Sequence, residues 1–576
     1  MIFLNTLISV FSMFFYSLVI IGYGAKFKRL FFPNNKDSIG EFGIFGFIFL
    51  YFFSILIHFF TPINVLVSLI IYITGIYFFS KEINYSKHKI LINKNFSFLL
   101  IIFLLLGLTN QFHDDAYLYQ LPYVNYAQNF KIIFGLVTIN DYMAYGHGFY
   151  DILALFSLPK ISNSLIFSLP LIFLAFFIIY LYENIKKFNF YTKIFSSIII
   201  IILCFRYYQS KDYGTDLPIL ILIFLIQINL INYFFKRDIN FLFKSILYFS
   251  IGILFKIYMI IAIFYLIPFL LLTKIKKINF FSYKKIIFFI ITIFLLSFGK
   301  NIIHSGCLVY PIHQTCFESS NLSWSYGKDL SYKRLIFLKA GGKGWQAHYR
   351  FYPETELLSP KNYLEKYKYN YYKNLIKDQD FYHILLVILI FVILLNLNKS
   401  QTIKKNIILS SNEKKYLFFS SLLSIVFWFI ISPVLRYGGY AFLVMFLFSI
   451  SILLNLINNL NFEKIKIFIG IALSFLVIKN FNRIYEEISY EKYNMIPVFK
   501  NISYTSENIA SSKINISLDN NFCGNIKMLC TLKSNLPSIK NIKINNGYLF
   551  ITKNKNAAIN SMNLEIERMK KNMKKE

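Results

Sequence analysis

Residues 96–122 of the chain read FSFLLIIFLLLGLTNQFHDDAYLYQLP. The part from 96 to 109 is apolar in the manner of a membrane helix, and His113, Asp114 and Asp115 stand where the chain leaves it. Carboxylates at a membrane boundary are costly to desolvate and therefore indicate a functional site. The structural alternative is a solvated loop, or an Asp that caps the next helix.

The rest of the chain is as apolar as this stretch. It has 576 residues, of which 56% are hydrophobic and only 15% are charged. Repeated apolar runs of spanning length leave too little polar surface for a soluble protein. We therefore predict an all-α polytopic membrane protein with about fourteen transmembrane helices. These runs lie near 2–22, 42–60, 62–80, 96–109, 164–182, 191–205, 217–235, 241–255, 257–273, 285–302, 381–397, 416–431, 439–457 and 466–480.

The basic residues predict the orientation of the chain in the membrane. The formal net charge is +32, and Lys and Arg are concentrated in every second loop between the apolar runs. Such loops are cytoplasmic by the positive-inside rule, and their charge favours contact with anionic lipid. We expect membrane lipids as partners and no nucleic acid. Loops 110–163 and 303–380 then face the periplasm, and the localisation is a bacterial inner membrane.

Three segments follow from this pattern. Residues 1–95 form an N-terminal three-helix membrane segment, 96–480 a membrane core, and 481–576 a periplasmic tail. Alternating stretches at Ile514–Leu518 and Tyr548–Thr552 predict short strands in the tail, and the basic stretch Asn560–Lys575 predicts a helix. The tail is therefore expected to be a small α/β appendage.

Two close cysteine pairs lie in polar segments assigned to the periplasmic side. Cys307 with Cys316, and Cys523 with Cys530, can each close a disulfide loop in an oxidising compartment. A zinc site made by Cys307, Cys316, His304 and His313 is the alternative, although its spacing matches no standard zinc motif.

Other charged residues recur at the same predicted face. Asp216 stands at the mouth of a span, Lys256 interrupts the apolar run 241–273, and Arg436 lies between two late spans. A Lys within an apolar run must find an anion or snorkel to the surface, and an Arg can hold a phosphate with two hydrogen bonds. The structural alternatives are a helix cap for Asp216, snorkelling for Lys256 and a lipid-headgroup anchor for Arg436.

The segment that follows the acidic pair also has a helical pattern. Tyr117–Phe130 is amphipathic, which predicts a helix lying on the membrane surface. His147 follows in a flexible Gly-His-Gly sequence and has a side chain that can titrate near neutral pH, although a structural, hydrogen-bonded His is an equal alternative. Carboxylates, a His, a Lys and an Arg thus converge on one face, a set that suits transfer of a group from a phosphate-bearing lipid.

Four short motifs resemble those of the GT-C class of integral-membrane glycosyltransferases, of the protein-mannosyltransferase and aminoarabinose-transferase type. The segment from Asp114 to Tyr117 resembles that group's Asp-Glu-Ala-Tyr motif, with Asp115 in place of Glu. Asp216-Leu217-Pro218 resembles its Asp-x-Pro segment, Gly252–Lys256 resembles its Gly-Leu-x-x-Leu-x-Lys stretch, and Arg436-Tyr437 resembles its late Arg-Tyr. About three additional spans precede the acidic motif here, and residues around His113 and Tyr310 are similar to a bacterial branch of multi-spanning glycosyltransferases.

The resemblance implies a polyprenyl-phosphate-linked sugar donor, a glycan or lipid acceptor at the cell envelope, and an inverting single displacement. It implies Asp114 as the general base, with Asp115 and Asp216 as further catalytic carboxylates. Lys256 and Arg436 are expected to bind the donor phosphate. The resemblance names no definite cofactor, and a divalent metal near Asp216 is optional. Substrate binding is expected from His113, Tyr117, His147 and Tyr310.

Two other functions fit a chain with many spans and large loops. An O-antigen polymerase or ligase would rely on arginines and a His in the second large loop, which here are Arg334, Arg350 and His348. A transporter of lipid-linked oligosaccharide would be expected to hold charges near the middle of the bilayer. The charges considered above lie at its edge, which favours the transferase.

Overall fold

A computed structural model describes most of the chain. The described residues are 2–33, 38–83, 97–107, 115–145, 148–157, 168–206, 214–272, 283–352, 355, 358–367, 376, 379–396, 409–460, 462–489, 502–509, 512–518, 523–524, 528–532, 536–545, 547–554 and 558. They are mostly helical, and their strands all lie after residue 503. The predicted class, a helical body with a small strand-containing tail, is confirmed at this level.

The helices are numbered here in chain order. They are α1 (Ile2–Phe31), α2 (Ile39–Phe60), α3 (Val65–Glu82), α4 (Ser97–Leu106), α5 (Leu121–Asn129), α6 (Gly148–Phe156), α7 (Ser168–Asn184), α8 (Phe190–Arg206), α9 (Asp216–Lys236), α10 (Asn240–Phe255), α11 (Ile267–Leu272), α12 (Lys284–Ser305), α13 (Lys328–Gly342), α14 (Trp345–Phe351), α15 (Pro360–Lys366), α16 (Gln379–Asn396), α17 (Ser411–Ile431), α18 (Gly439–Leu453) and α19 (Phe462–Ser489).

Seven of the described helices are long and apolar enough to cross a membrane, namely α1, α2, α3, α9, α12, α17 and most of α19. The chain is therefore a membrane protein. Seven shorter apolar segments of 10–17 residues are also helical, and each coincides with one of the remaining predicted runs. One of them, Ile257–Leu272, consists of the 3-10 helix Ile257–Tyr265 followed by α11.

Helices α1 and α2 pack closely because both carry glycine at their contact. A Cβ on Gly24 would lie 1.6 Å from the carbonyl oxygen of Phe42, so no larger residue fits between the two backbones. Helix α2 also packs against α6, α7 and α12, and one apolar core runs through all of these helices. The N-terminal helices therefore share one apolar core with the helices that follow them.

One face of the body is held by ion pairs between helix ends. Lys244 at the start of α10 pairs with Glu41 at the start of α2, and Arg237 pairs with Glu413 at the start of α17. Arg29 near the end of α1 pairs with Glu82 at the end of α3 at 2.9 Å. These pairs lie beside the basic loops of the sequence. We call the other side, which carries the described residues among 115–157, 303–367 and 432–438, the loop face.

The acidic segment is helical but is not a surface helix. A π-helix spans Ala116–Gln120 and continues directly into α5. Every residue from 121 to 128 is buried, because α6 and the C-terminal strands cover the segment. The expectation of an amphipathic helix on the membrane surface is therefore wrong for this segment, since polar residues such as Asn125 and Gln128 are buried as well.

The tail contains two small sheets. In the first, β1 (Tyr504–Ile509) is antiparallel to β2 (Ser512–Ser517), which is parallel to β3 (Cys530–Leu532). In the second, β4 (Ile539–Asn545) is antiparallel to β5 (Tyr548–Lys553). The strands predicted at Ile514–Leu518 and Tyr548–Thr552 are confirmed. The helix predicted at Asn560–Lys575 lies outside the described residues.

The tail is attached to the loop face. The Phe134 N–H donates to the Leu549 carbonyl at 2.9 Å, and the Ile551 N–H donates to the Phe134 carbonyl at 2.9 Å. The Phe134 ring stacks on Phe550 with centroids 4.2 Å apart. The Tyr126 hydroxyl donates to the Cys530 carbonyl at 3.0 Å. The tail thus packs on the segment that follows the acidic motif.

Both close cysteine pairs are disulfides in the structure, Cys307 with Cys316 and Cys523 with Cys530. Since the two sulfurs of Cys307 and Cys316 are bonded to each other, they are not available as thiolate ligands. The zinc alternative at His304, Cys307, His313 and Cys316 is therefore wrong.

Candidate functional site

Asp216 is the first residue of α9, where an acidic side chain is favoured by the helix dipole. The preceding residue, Thr215, makes no side-chain capping bond. The Asp216 carboxylate instead pairs with Lys256 through Oδ1, and its Oδ2 lies 3.8 Å from Nε of Arg436. The capping alternative does not describe this carboxylate, which bridges two cations from distant parts of the chain.

Lys256 lies at the break between α10 and the following 3-10 helix. Its backbone is extended, with φ −159° and ψ 126°, so the apolar run turns at this residue. The turn is tight, because a Cβ on Gly252 would lie 2.6 Å from Cγ of Met259. The Lys256 side chain is 25% exposed and that of Asp216 is 23% exposed. The snorkelling alternative therefore does not describe Lys256, which has found an anion.

Arg436 and Tyr437 lie on a 3-10 turn, Leu435–Tyr437, between α17 and α18. Asp380 at the start of α16 accepts a hydrogen bond from the Leu435 N–H at 3.0 Å. The Trp428 indole donates to the Val434 carbonyl at 3.2 Å. Gly438 ends the turn with φ 90°, a value that other residues rarely adopt. Three helices therefore fix the position of this turn.

The Tyr437 ring orders both cations of the site. Lys256 Nζ lies 3.5 Å from the ring centroid, and Arg436 lies 5.1 Å from it. Arg436 also donates to the Tyr437 hydroxyl at 3.2 Å. Tyr437 and the carboxylates of Asp216 and Asp115 raise the pKa of Arg436 above its ordinary value, so this side chain stays charged at every physiological pH.

The acidic motif is described only from Asp115 onward. Asp115 directly precedes the π-helix and is partly buried, and its charge acts on Arg436. Tyr117 is buried beneath the tail, where its carbonyl accepts from the Gly524 N–H at 2.9 Å. Single π-turns occur often at functional sites. His113, Asp114 and His147 lie outside the described residues.

We call Asp216, Lys256, Arg436, Tyr437 and Asp115 the bridged cation site. The convergence that the sequence predicts for Asp216, Lys256 and Arg436 is found in the structure. Tyr310 belongs to another cluster on the loop face. It packs between Tyr145 and Tyr326, at centroid distances of 5.3 and 5.9 Å, beside the Cys307 disulfide.

That other cluster contains a fully buried cation, Arg334. Its Nε lies 3.0 Å from the Asp141 carboxylate and also donates to the Tyr145 hydroxyl, and its guanidinium lies 4.1 Å from the Tyr142 ring centroid. Tyr142 stacks on Tyr119 of the π-helix at 5.7 Å. Arg334 therefore joins the 328–342 helix to the segment that follows the acidic motif.

A third charged cluster was missed by sequence reasoning. The buried Lys300 pairs with the buried Asp151, which also accepts from the Tyr123 hydroxyl at 2.9 Å and lies 3.4 Å from His58 Nδ1. Burial favours the neutral acid, but Lys300 and His58 outweigh it and lower the pKa of Asp151 below its ordinary value. Lys300 lies within the apolar run 285–302, so the rule applied to Lys256 would have singled it out.

The described residues of the bridged cation site offer few oxygen ligands to a divalent metal. Its oxygen donors are the carboxylates of Asp216 and Asp115, and the former is already shared by two cations. No group of three or more His, Cys, Asp or Glu residues forms a metal site among the described residues. Hard cations such as Mg²⁺ need several oxygen ligands. The described part of the site therefore does not supply a divalent-metal centre by itself.

Comparison with known proteins gives one family. The DUF8201 family, a domain of unknown function, matches residues 6–444. This range includes every residue of the bridged cation site and ends before the tail. Searches of curated proteins and of solved structures give no match. Because the match covers most of the chain, the protein belongs to the DUF8201 family.

Proposed function

We propose that the protein is a membrane glycosyltransferase that moves a sugar from a polyprenyl-phosphate-linked donor to a glycan or lipid acceptor. The observation that carries this proposal is the bridged cation site, where Lys256 and Arg436 meet at one carboxylate on the loop face. Two ordered cations at the ends of membrane helices suit the phosphate of a lipid-linked donor. Such a donor also explains why the site lies at the end of the helical body.

The orientation of the chain is part of the proposal. We place the loop face at the periplasm and the basic loops in the cytoplasm, with about fourteen helices crossing a bacterial inner membrane. The two disulfides support this orientation, because both lie on the loop face or in the tail attached to it, and disulfides persist in oxidising compartments.

The proposed reaction is a single displacement. An acceptor hydroxyl oxygen attacks the anomeric carbon of the sugar, and a C–O bond forms as the bond from that carbon to the phosphate oxygen breaks. The electron pair leaves with the polyprenyl phosphate, whose growing charge is stabilised by Lys256 and Arg436. The proton of the acceptor hydroxyl passes to the carboxylate of Asp114, with Asp115 next to it.

The placement of Arg334 and His348 bears on the polymerase or ligase alternative. Arg334 is fully buried against Asp141, and His348 is buried among Tyr349, Tyr363 and Tyr367. These positions suit packing of the loop-face helices. Arg350 lies in α14, and its side chain is not among those described. Lys256, Asp216 and Arg436, by contrast, are partly open to solvent, which supports the transferase.

The test is glycan profiling of a strain that lacks the protein, followed by return of variants. The deletion should remove one sugar from one envelope glycan, which names donor and acceptor together. Asp114→Asn should fail to restore it, since loss of a general base lowers such rates about 10²- to 10⁴-fold. Lys256→Gln and Arg436→Gln should restore it only weakly.

The matched control is Lys466→Gln, which removes a cation that pairs with Glu463 at 2.7 Å on the surface of α19. It should restore the glycan fully. An unchanged glycan profile in the deletion strain would contradict the transferase. Full restoration by Asp114→Asn would contradict the base assignment alone.

A further inference from the structure

The two cations of the bridged cation site already share one anion. The carboxylate of Asp216 pairs with Lys256 through one oxygen and lies near Arg436 through the other. It therefore occupies the place between the cations in which a phosphate would make the same two contacts. A phosphate that bridges the same two cations would lie close to the Asp216 carboxylate, and the two anions would repel each other.

We infer that Asp216 is an internal counter-ion of Lys256 and Arg436. A phosphate monoester displaces the Asp216 carboxylate from the two cations, and the carboxylate later displaces that phosphate. The inference rests on the proposed function for the identity of the ligand, the polyprenyl phosphate released after transfer. It assigns Asp216 a role in exchange of the phosphate, separate from the proton transfer proposed for Asp114.

The charges of the site support such an exchange. Lys256 and Arg436 contribute two positive charges, and Asp216 and Asp115 contribute two negative charges. A phosphate monoester adds about 1.5 to 2 negative charges at neutral pH. If Asp216 kept its place, the phosphate would make the site strongly anionic. Like-charge repulsion therefore favours one anion at the cations at a time, the carboxylate or the phosphate.

The geometry supports the exchange as well. Arg436 is 51% exposed, so an anion can reach it from outside without moving a helix. Tyr437 keeps Lys256 and Arg436 at its ring when their shared anion changes. Asp216 remains at the N-terminus of α9, where the helix dipole stabilises its charge without either partner.

The charge of the bound phosphate group changes during the proposed reaction. The donor is a phosphodiester with one negative charge, whereas the product is a monoester with more. Both cations would bind the product more tightly than the donor, and slow release of the product would limit turnover. The returning Asp216 carboxylate competes with the product and thereby shortens its residence at the site.

The experiment measures binding of a short-chain polyprenyl phosphate to the full-length protein in nanodiscs of neutral lipid. Asp216→Asn should bind it about 1.5-fold to fivefold more tightly than the wild type, the gain expected from loss of one partly exposed competing ion pair. Asp216→Ala is a second neutral variant in case the first does not fold. Asp216→Asn with Lys256→Gln and Arg436→Gln should lose the gain.

Glu463→Gln is the matched control, because it also removes one carboxylate from an exposed Lys pair but lies away from the site. Its affinity should equal that of the wild type. Inorganic phosphate should compete with the lipid more strongly in Asp216→Asn than in the wild type, since the same headgroup chemistry is recognised. Unchanged or weaker binding by both neutral variants would overturn the inference.

Nanodiscs that contain phosphatidylglycerol distinguish the lipid source. The inference would be overturned if the affinity for phosphatidylglycerol rose in Asp216→Asn by the same factor as the affinity for the polyprenyl phosphate. The cations would then be a general headgroup anchor. The result of the binding experiment does not depend on the result of the glycan test of the proposed function. Tighter phosphate binding without any glycan change in the deletion strain would support the exchange and contradict the transferase.

Discussion

The Nζ of Lys256 lies 3.5 Å from the centre of the Tyr437 ring, although the two residues belong to different helix connections. The same ring lies 5.1 Å from the guanidinium of Arg436. A tyrosine between two cations reduces their repulsion, because its face carries partial negative charge. Tyr437 is therefore a positioning residue for the proposed phosphate site.

The first prediction concerns this ring. Tyr437→Leu should weaken binding of the polyprenyl phosphate about threefold to 30-fold, since each cation–π contact contributes about 0.5 to 2 kcal/mol. Tyr437→Phe keeps the ring and removes only the hydroxyl that accepts from Arg436, so its loss should be smaller. Binding in nanodiscs measures both. Equal losses in the two variants would show that the hydroxyl, not the ring, holds the cations.

The second prediction concerns the buried pair of Lys300 and Asp151. Lys300→Met leaves a buried carboxylate without its main cation and should lower the free energy of unfolding by about 3 to 5 kcal/mol. Combining Lys300→Met with Asp151→Leu should restore part of this loss, because no charge then stays buried alone. Thermal unfolding in detergent measures the effect, with Lys466→Met as an exposed control. A stable single variant would contradict the importance of the pair.

The third prediction concerns acid. Because the pKa of Asp151 is lowered in the folded protein, its ionised form contributes stability above the ordinary value of 3.8. That contribution is lost as the pH falls below 3.8, by about 1.4 kcal/mol per pH unit. The gap in unfolding temperature between wild type and Asp151→Asn should therefore be constant from pH 7 to about pH 4.5 and narrow below it. A gap that widens on acidification would reverse the assigned direction.

The fourth prediction concerns the turn that presents Arg436. Gly438→Ala places a Cβ 2.6 Å from Cδ1 of Ile223 and holds alanine at φ 90°. We expect a loss of about 1 to 3 kcal/mol in stability and weaker phosphate binding, because the turn moves away from Lys256. Ile223→Val combined with Gly438→Ala should relieve the contact but not the backbone strain. Wild-type binding by the single variant would show that the turn tolerates the shift.

The fifth prediction concerns orientation. Cys204 is a buried free thiol, and the other four cysteines form the two disulfides. All five are buried, so a membrane-impermeant maleimide needs an introduced target. Ser320→Cys, at an exposed residue of the loop face, should be labelled in intact cells. Ser411→Cys, exposed beside the Arg237–Glu413 pair, should be labelled only in permeabilised cells and is the control. The opposite labelling of the two variants would reverse the proposed orientation.

The sequence predicted the bridged cation site because its charges interrupt or end apolar runs. Asp216, Lys256 and Arg436 each lie where a predicted span meets a loop on the same face, so their approach follows from the alternation of basic loops. Lys300 lies two residues before the end of the run 285–302 and was absorbed into the apolar pattern. Its partner Asp151 comes from a short helix 149 residues earlier, and one sequence alone carries no signal of that pairing.

The position of the tail on the loop face could not be predicted from the sequence either. Alternation in the Tyr548–Thr552 stretch predicts a strand, but nothing in it names Phe134 as a neighbour. The same limit explains the wrong expectation for Tyr117–Phe130. Its periodicity predicts an apolar face and a polar face, of which only the first is expected to be buried. In the structure, α6 and the C-terminal strands cover both faces.

The pairing of Phe134 with β5 has a consequence for biosynthesis. The ribosome must complete more than four hundred residues after Phe134 before its strand partner exists. During that interval the backbone groups of this segment and the apolar side of Tyr126 stay open at the membrane surface. The loop face is therefore completed late in synthesis, and a nascent chain that stops before residue 548 presents an edge that chaperones would recognise.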